Sequence, residues 1–249
     1  MKTEFILAGA GGQGVLELAN WLAYYNLVEG RHVAYTPSYG PETRGGRVKC
    51  YLTSSEERID SPIVEDPDIL VVMNIPSLDF VPLLKKGGTL LVNSSLVKDC
   101  HLRDDVKIVE VPATEIAGGL RAYSPDKTKD TAIAANSVMF GACLAVSGEN
   151  LQSEIEGIRE VFGHFLTGRK AAFIPLNVKA VEEGFAHVTR TRAGAPARPW
   201  VSLTSELLTT RVPPFLRRGR KSIDRMFITT RMSGSSTMGE SIRSSELTT

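Results

Sequence analysis

Near the start of the chain, Gly9-Ala10-Gly11-Gly12-Gln13-Gly14 satisfies the spacing Gly-x-Gly-x-x-Gly. It directly follows the apolar run Glu4-Phe5-Ile6-Leu7-Ala8 and opens a segment of helical periodicity from Val15 to Leu27. Glycines in a strand–turn–helix context let the backbone turn sharply and approach a ligand closely. The free N–H groups and dipole of the following helix favour negative charge, so a phosphate or pyrophosphate suits such a turn. The competing explanation is that these glycines serve only to pack helix against sheet.

A nicotinamide enzyme would need an acidic residue about 20 positions further on, to hold the ribose. Ala34-Tyr35-Thr36-Pro37 stands there instead, which argues against NAD. No Gly-Lys-Ser/Thr follows the glycines either, which argues against a nucleotide hydrolase. A second loop, Ser38-Tyr39-Gly40-Pro41-Glu42-Thr43-Arg44-Gly45-Gly46-Arg47, is expected after the carboxyl end of the second strand, beside the first, where open α/β sheets bind ligands. Arg44 is a donor fork for phosphate or carboxylate, and Gly45 and Gly46 admit a close backbone or ligand. A tight turn held by an exposed Glu42–Arg44 pair is the alternative.

Other reactive side chains carry less. His32, His101, His164 and His187 show no metal-ligand spacing, so no metal site and no catalytic base are assigned. Cys50 and Cys143 read as packing residues, and Cys100 as a loop residue without an activating partner. The three cysteines are too few and too scattered for a disulfide framework or an iron–sulfur or zinc motif. Lys127 and Lys129 could reach an anion if their loop folds over the strand ends; solvated surface positions are the expectation.

The elements that must hold these loops follow from periodicity. Strands are expected at Glu4–Ala8, His32–Thr36, Val48–Thr53, Asp68–Met73, Thr89–Asn93 and Val106–Val111, and helices at Val15–Leu27, Pro76–Leu84, Leu151–Phe165 and Val178–His187. Continuous apolar strands separated by helices imply an α/β fold, a single Rossmann-like doubly wound and mainly parallel sheet with helices on both faces. Between Thr131 and Val146 runs a helix apolar all round, expected as a central core helix, with coverage by another subunit as the alternative.

Composition divides the chain at about residue 190. Residues 1–189 hold 18 Lys+Arg against 24 Asp+Glu, whereas residues 190–249 hold 11 against 4. The domain is expected to be residues 1–190, followed by a basic Ser/Thr/Arg-rich tail, 191–249, expected to be disordered. A tail that binds nucleic acid or another anionic surface is disfavoured by its few aromatics, and a non-native or frame-altered terminus would explain the change equally well. With no signal peptide and no apolar run near the ~20 residues that span a bilayer, a cytoplasmic location is expected.

Gly11-Gly12-Gln13-Gly14 followed by Ser38-Tyr39-Gly40-Pro41-Glu42-x-Arg44-Gly45-Gly46 resembles the paired signature of the gamma subunits of 2-oxoacid:ferredoxin oxidoreductases. The likeness continues through Pro62, Pro67-Asp68, Gly87-Gly88, Asn93-Ser94 and the segment Asn136 to Gly141, over residues 3 to 187. The Tyr39-Gly40-Pro41 form resembles the branch acting on 2-oxoglutarate or branched-chain 2-oxoacids. The resemblance implies a subunit with no chemistry of its own in a complex that turns a 2-oxoacid and coenzyme A into acyl-CoA, carbon dioxide and reduced ferredoxin. Thiamine diphosphate and the iron–sulfur clusters would sit in partner alpha, beta and ferredoxin-like subunits, with ferredoxin as electron acceptor. Coenzyme A would meet Gly11, Gly12, Gln13, Gly14, Tyr39, Gly40, Glu42, Arg44, Gly45, Gly46, Asn93 and Ser94. A free-standing Rossmann-like enzyme using a nucleotide or acyl-CoA is the alternative.

Overall fold

A computed structural model describes residues 2–39, 46–194, 226–228 and 231–232. Strand β1 (Lys2–Ala10) lies inside one sheet. On one side β4 (Ile69–Val72), β5 (Thr89–Asn93) and β6 (Lys107–Val111) follow in parallel. On the other, β3 (Arg47–Ser55) and then β2 (His32–Tyr39) complete the order β6-β5-β4-β1-β3-β2. The α/β, mainly parallel expectation holds.

One strand departs from it. β3 is antiparallel to both β1 and β2, so β2 and β3 are the two arms of a hairpin rather than parallel strands joined by a crossover. The reason is length: a parallel return needs a dozen or more residues, and β2 and β3 are joined by far fewer.

The strands alternate between two cores, as their period of two requires. Phe5, Leu7, Ile69, Val71 and Leu91 point into one apolar cluster, while Ile6, Leu70, Val72, Leu90 and Val92 point into the other. The first is covered by α1 (Val15–Val28), α2 (Ala113–Gly118), α3 (Ala135–Val146), α4 (Leu151–Phe165) and α5 (Ile174–Gly194). The second is covered by the 3-10 segment Ile75–Leu83 and by the chain around Val97 and Cys100.

All residues of α3 from Ala135 to Ala145 are buried within this chain, as a helix apolar on every side demands. Its neighbour is α5, and the two backbones cross at paired glycines. A Cβ on Gly141 would overlap the carbonyl of Val181, and one on Gly184 would overlap that of Val138. Trp21 and Tyr25 of α1 meet Phe140 and Phe162, with Trp21 edge-on to Phe162 at 5.1 Å between centroids.

α5 runs past Arg190 to Gly194. Two short strands from the tail, β7 (Met226–Ile228) and β8 (Arg231–Met232), pair in parallel with the outer edge of β2. The rest of the expected tail lies outside the described residues. No helix among the described residues is long and apolar enough to cross a membrane.

Candidate functional site

The carboxyl ends of β1, β2 and β4 and the start of β3 lie at one end of the sheet, with Arg47 facing Ala10 and Val48 facing Tyr39. The glycine turn follows β1 there. Gly12 has φ 98°, and among the described residues nothing lies within 4 Å of where its Cβ would be, so none of them covers its exposed backbone. Gly14, at φ 70° and ψ 27°, caps α1 without any side-chain hydrogen bond to the first turn. Open peptide and uncapped helix end together form the kind of positive concavity that binds anions. Glu17 stands exposed in the same turn and already places one negative charge near the helix dipole.

Gln13 faces inward. Its Oε1 accepts from the Ala10 amide at 2.8 Å and its Nε2 donates to the Met73 carbonyl at 3.3 Å, tying the turn to the end of β4. Asn136, on the first turn of α3, packs against Gly14 and donates from Nδ2 to its carbonyl at 3.5 Å. The turn is therefore held by two side chains, one of its own and one from a helix far along the chain.

The second loop meets the first. The amide of Gly11 donates to the carbonyl of Gly46 at 2.9 Å, joining the glycine turn to the base of the β2–β3 hairpin. Tyr39 closes β2 by its backbone, and Gly40, Glu42, Arg44 and Gly45 lie outside the described residues. At the hairpin base Arg47 pairs with Asp79 of the 3-10 segment at 2.8 Å; both are exposed, so the pair contributes at most about 1 kcal/mol.

Asn93 ends β5 and Ser94 follows it, separated from β1 by β4 and so roughly 9.5 Å away in strand spacings. The Asn93 side chain is fully buried. Its Nδ2 donates to Thr114 Oγ1, and its Oδ1 accepts from the amides of Ser95 and Ala113. Ser94 donates its amide to the Val111 carbonyl. Both residues set the frame of the strand ends, and the Asn93 amide is committed to α2.

The family model for pyruvate ferredoxin/flavodoxin oxidoreductase matches residues 4–187, which span the glycine turn, the hairpin and the buried helix. The chain belongs to this family. It is 37% identical over 179 residues to the ketoisovalerate oxidoreductase subunit VorA of Methanothermobacter marburgensis, covering 72% of this chain but only 35% of that relative's length. It is 36% identical over 155 residues to the 2-oxoglutarate synthase subunit KorC of the same organism, 59% of this chain and 79% of that one. Among solved structures, the gamma subunit of the keto/oxoacid ferredoxin oxidoreductase of Geobacter sulfurreducens superposes with a TM-score of 0.60 at 26% identity, over 76% of this chain and 99% of that one.

Elsewhere in this oxidoreductase-family chain the other reactive groups mostly serve the fold. His164 stacks on Tyr24 at 4.3 Å between ring centroids, and His187 Nε2 lies 3.1 Å from the Glu110 carbonyl. Lys127 donates to the carbonyls of Arg121 and Ala122, pinning its own loop, and Lys129 lies over the ring of Phe173. At the opposite end of the sheet a cavity of about 110 Å³ is lined by Asn26, Arg31, Ser54 and Glu149. Those groups satisfy one another: Asn26 Oδ1 accepts from Arg31 and Ser54, and Arg31 pairs with Glu149 at 2.6 Å.

Cys100 stands in a loop, as expected, but that loop buries it and gives it a partner. It is fully buried in the second core cluster, and its thiol donates to Glu110 Oε1 at 3.1 Å. Burial, reinforced by Glu110, pushes that thiol up to about 11. His101 stands beside it, so Cys100, His101 and Glu110 offer donor atoms within 4.8 Å of one another. The adjacent Cys100-His101 pair is visible in the sequence, but its third member comes from the following strand.

Proposed function

We propose that this chain is the gamma subunit of a 2-oxoacid:ferredoxin oxidoreductase complex, in which residues 1–190 are the gamma domain and residues 191–249 an appendage. The complex would join a 2-oxoacid to coenzyme A with loss of carbon dioxide and transfer of electrons to ferredoxin, in the cytoplasm of an anaerobic metabolism. Alpha, beta and ferredoxin-like chains would hold thiamine diphosphate and the iron–sulfur clusters. This chain would do no chemistry alone; its part would be assembly and a share of the coenzyme A site.

The observation that carries this reading is the Gly11–Gly46 hydrogen bond, which brings the two signature loops together at the carboxyl end of the sheet. The open peptide at Gly12 and the uncapped start of α1 suit a phosphate of coenzyme A, and Arg44 would add a bidentate donor. Coenzyme A supplies the thiol that takes the acyl group; the residues here would bind and orient it. The names of the VorA and KorC relatives favour a branched-chain 2-oxoacid or 2-oxoglutarate as substrate.

The test is reconstitution. Mixed with its alpha, beta and ferredoxin-like chains, the protein should restore coenzyme A-dependent reduction of a viologen dye by a 2-oxoacid, and the isolated chain should give none. Turnover by the chain alone would instead support a free-standing acyl-CoA or nucleotide enzyme.

A further inference from the structure

The geometry points to a zinc-class metal site, bound by Cys100 Sγ, the His101 imidazole and a Glu110 carboxylate oxygen, on the sheet face away from α1. Several observations converge there. The amide of Leu102 donates to the Cys100 carbonyl at 2.9 Å, closing a three-residue turn with His101 at its apex. Such a turn lets two consecutive side chains, which would diverge in an extended strand, approach a common point. Glu110 is delivered from β6, whose register is set by Val92 opposite Glu110 on one edge and by His187 at the Glu110 carbonyl on the other.

The donor set matches the ion. A thiolate, an imidazole and a carboxylate are the ligands that zinc accepts, and two anions with one neutral donor balance a divalent charge. A tetrahedral ion with bonds of about 2.0–2.3 Å holds its donors roughly 3.3–3.8 Å apart. Cys100 Sγ and Glu110 Oε1 are already 3.1 Å apart, sharing the thiol proton, and all three donor atoms fall within 4.8 Å. Closing that gap asks only for rotation of His101 and Glu110, both exposed, while the buried Cys100 stays fixed. Binding replaces the thiol proton with the metal and releases that proton to solvent. The fourth position, on the exposed side, is left for water.

This site lies on the cluster covering the sheet's second face, apart from the glycine turn, and stands independently of the proposed coenzyme A contacts. The test titrates the untagged, metal-stripped full chain with Co²⁺, a spectroscopic stand-in, and then displaces it with Zn²⁺. The expected result is a thiolate-to-cobalt charge-transfer band saturating at one equivalent, with proton release, and bleached by Zn²⁺. Cys100→Ser should abolish the band. His101→Ala, at an exposed position that leaves the fold intact, should weaken binding by more than about tenfold, at least what loss of an outer-shell partner costs. No charge-transfer band in the wild-type chain, a band surviving Cys100→Ser, or unchanged affinity in His101→Ala would each overturn the assignment.

Discussion

Asn136 packs directly onto the α-carbon of Gly14, so that its Cγ lies 2.9 Å from where a Cβ on that glycine would be. The start of the buried helix thereby becomes a wall of the glycine turn, linking a helix buried on every side to the candidate anion site. A methyl group at position 14 would meet both this wall and a left-handed backbone. Gly14→Ala should therefore lower stability by about 2–4 kcal/mol. Gly12→Ala, with no described residue within 4 Å of the added methyl, should incur backbone strain alone, about 1–2 kcal/mol. Urea midpoints of the two variants check this, and equal losses would remove Asn136 as the cause.

The α3–α5 crossing makes a second prediction. A Cβ on Gly141 would sit 2.8 Å from the Val181 carbonyl carbon, and one on Gly184 2.8 Å from that of Val138. Backbone cannot rotate away as a side-chain tip can, so the helices must separate. Gly141→Ala and Gly184→Ala should each cost about 3 kcal/mol or more, the upper end of overpacking penalties. If the helices separate as units, the double variant should cost less than the sum of the two, because the first substitution has already opened the gap.

Buried thiols set an alkaline limit on stability. Burial pushes Cys143 up to about 12 from an ordinary value of 9.0. Cys50 is pushed up to about 12 as well, by burial, against a lowering contact with Tyr35 and with Glu17 adding to the rise. A raised folded value means the native state holds the proton more tightly than the unfolded chain. That stability is fully present below about pH 9 and is lost as pH climbs toward 12, at up to about 1.4 kcal/mol per pH unit for each thiol. Unfolding midpoints measured from pH 7 to 11 should hold level and then fall. A Cys50→Ala, Cys143→Ala double variant should fall less steeply, and identical slopes would refute the account.

Much of this was legible beforehand, because apolar runs such as Phe5–Ala8 and Ile69–Val72 announce strands covered on both faces, and the glycine turn announces its place after β1. The direction of β3 was also within reach, since the short link from Tyr39 to Arg47 leaves no room for a crossover. Side-chain commitments were not. Gln13 looks like a ligand donor until Met73, brought in by β4, takes its amide. Asn93 looks free until Thr114 and Ala113 of α2, a helix too short to show a period, claim its amide. Partners set by tertiary register leave no local trace.

That distinction between frame and contact can be measured at the candidate site. Gln13→Ala removes the acceptor of the Ala10 amide and the donor to Met73, and should destabilise the chain by about 1–3 kcal/mol through the part-buried groups left unpaired. In the assembled complex it should affect the KM for coenzyme A only as far as the turn loosens. Arg44→Ala should do the reverse: little change in the unfolding midpoint, but a rise in the KM for coenzyme A larger than that for the 2-oxoacid. A charge-assisted contact contributes about 1.5–3 kcal/mol, so the rise should be roughly 10- to 100-fold. An Arg44→Ala complex with an unchanged coenzyme A response would refute the proposed coenzyme A contact.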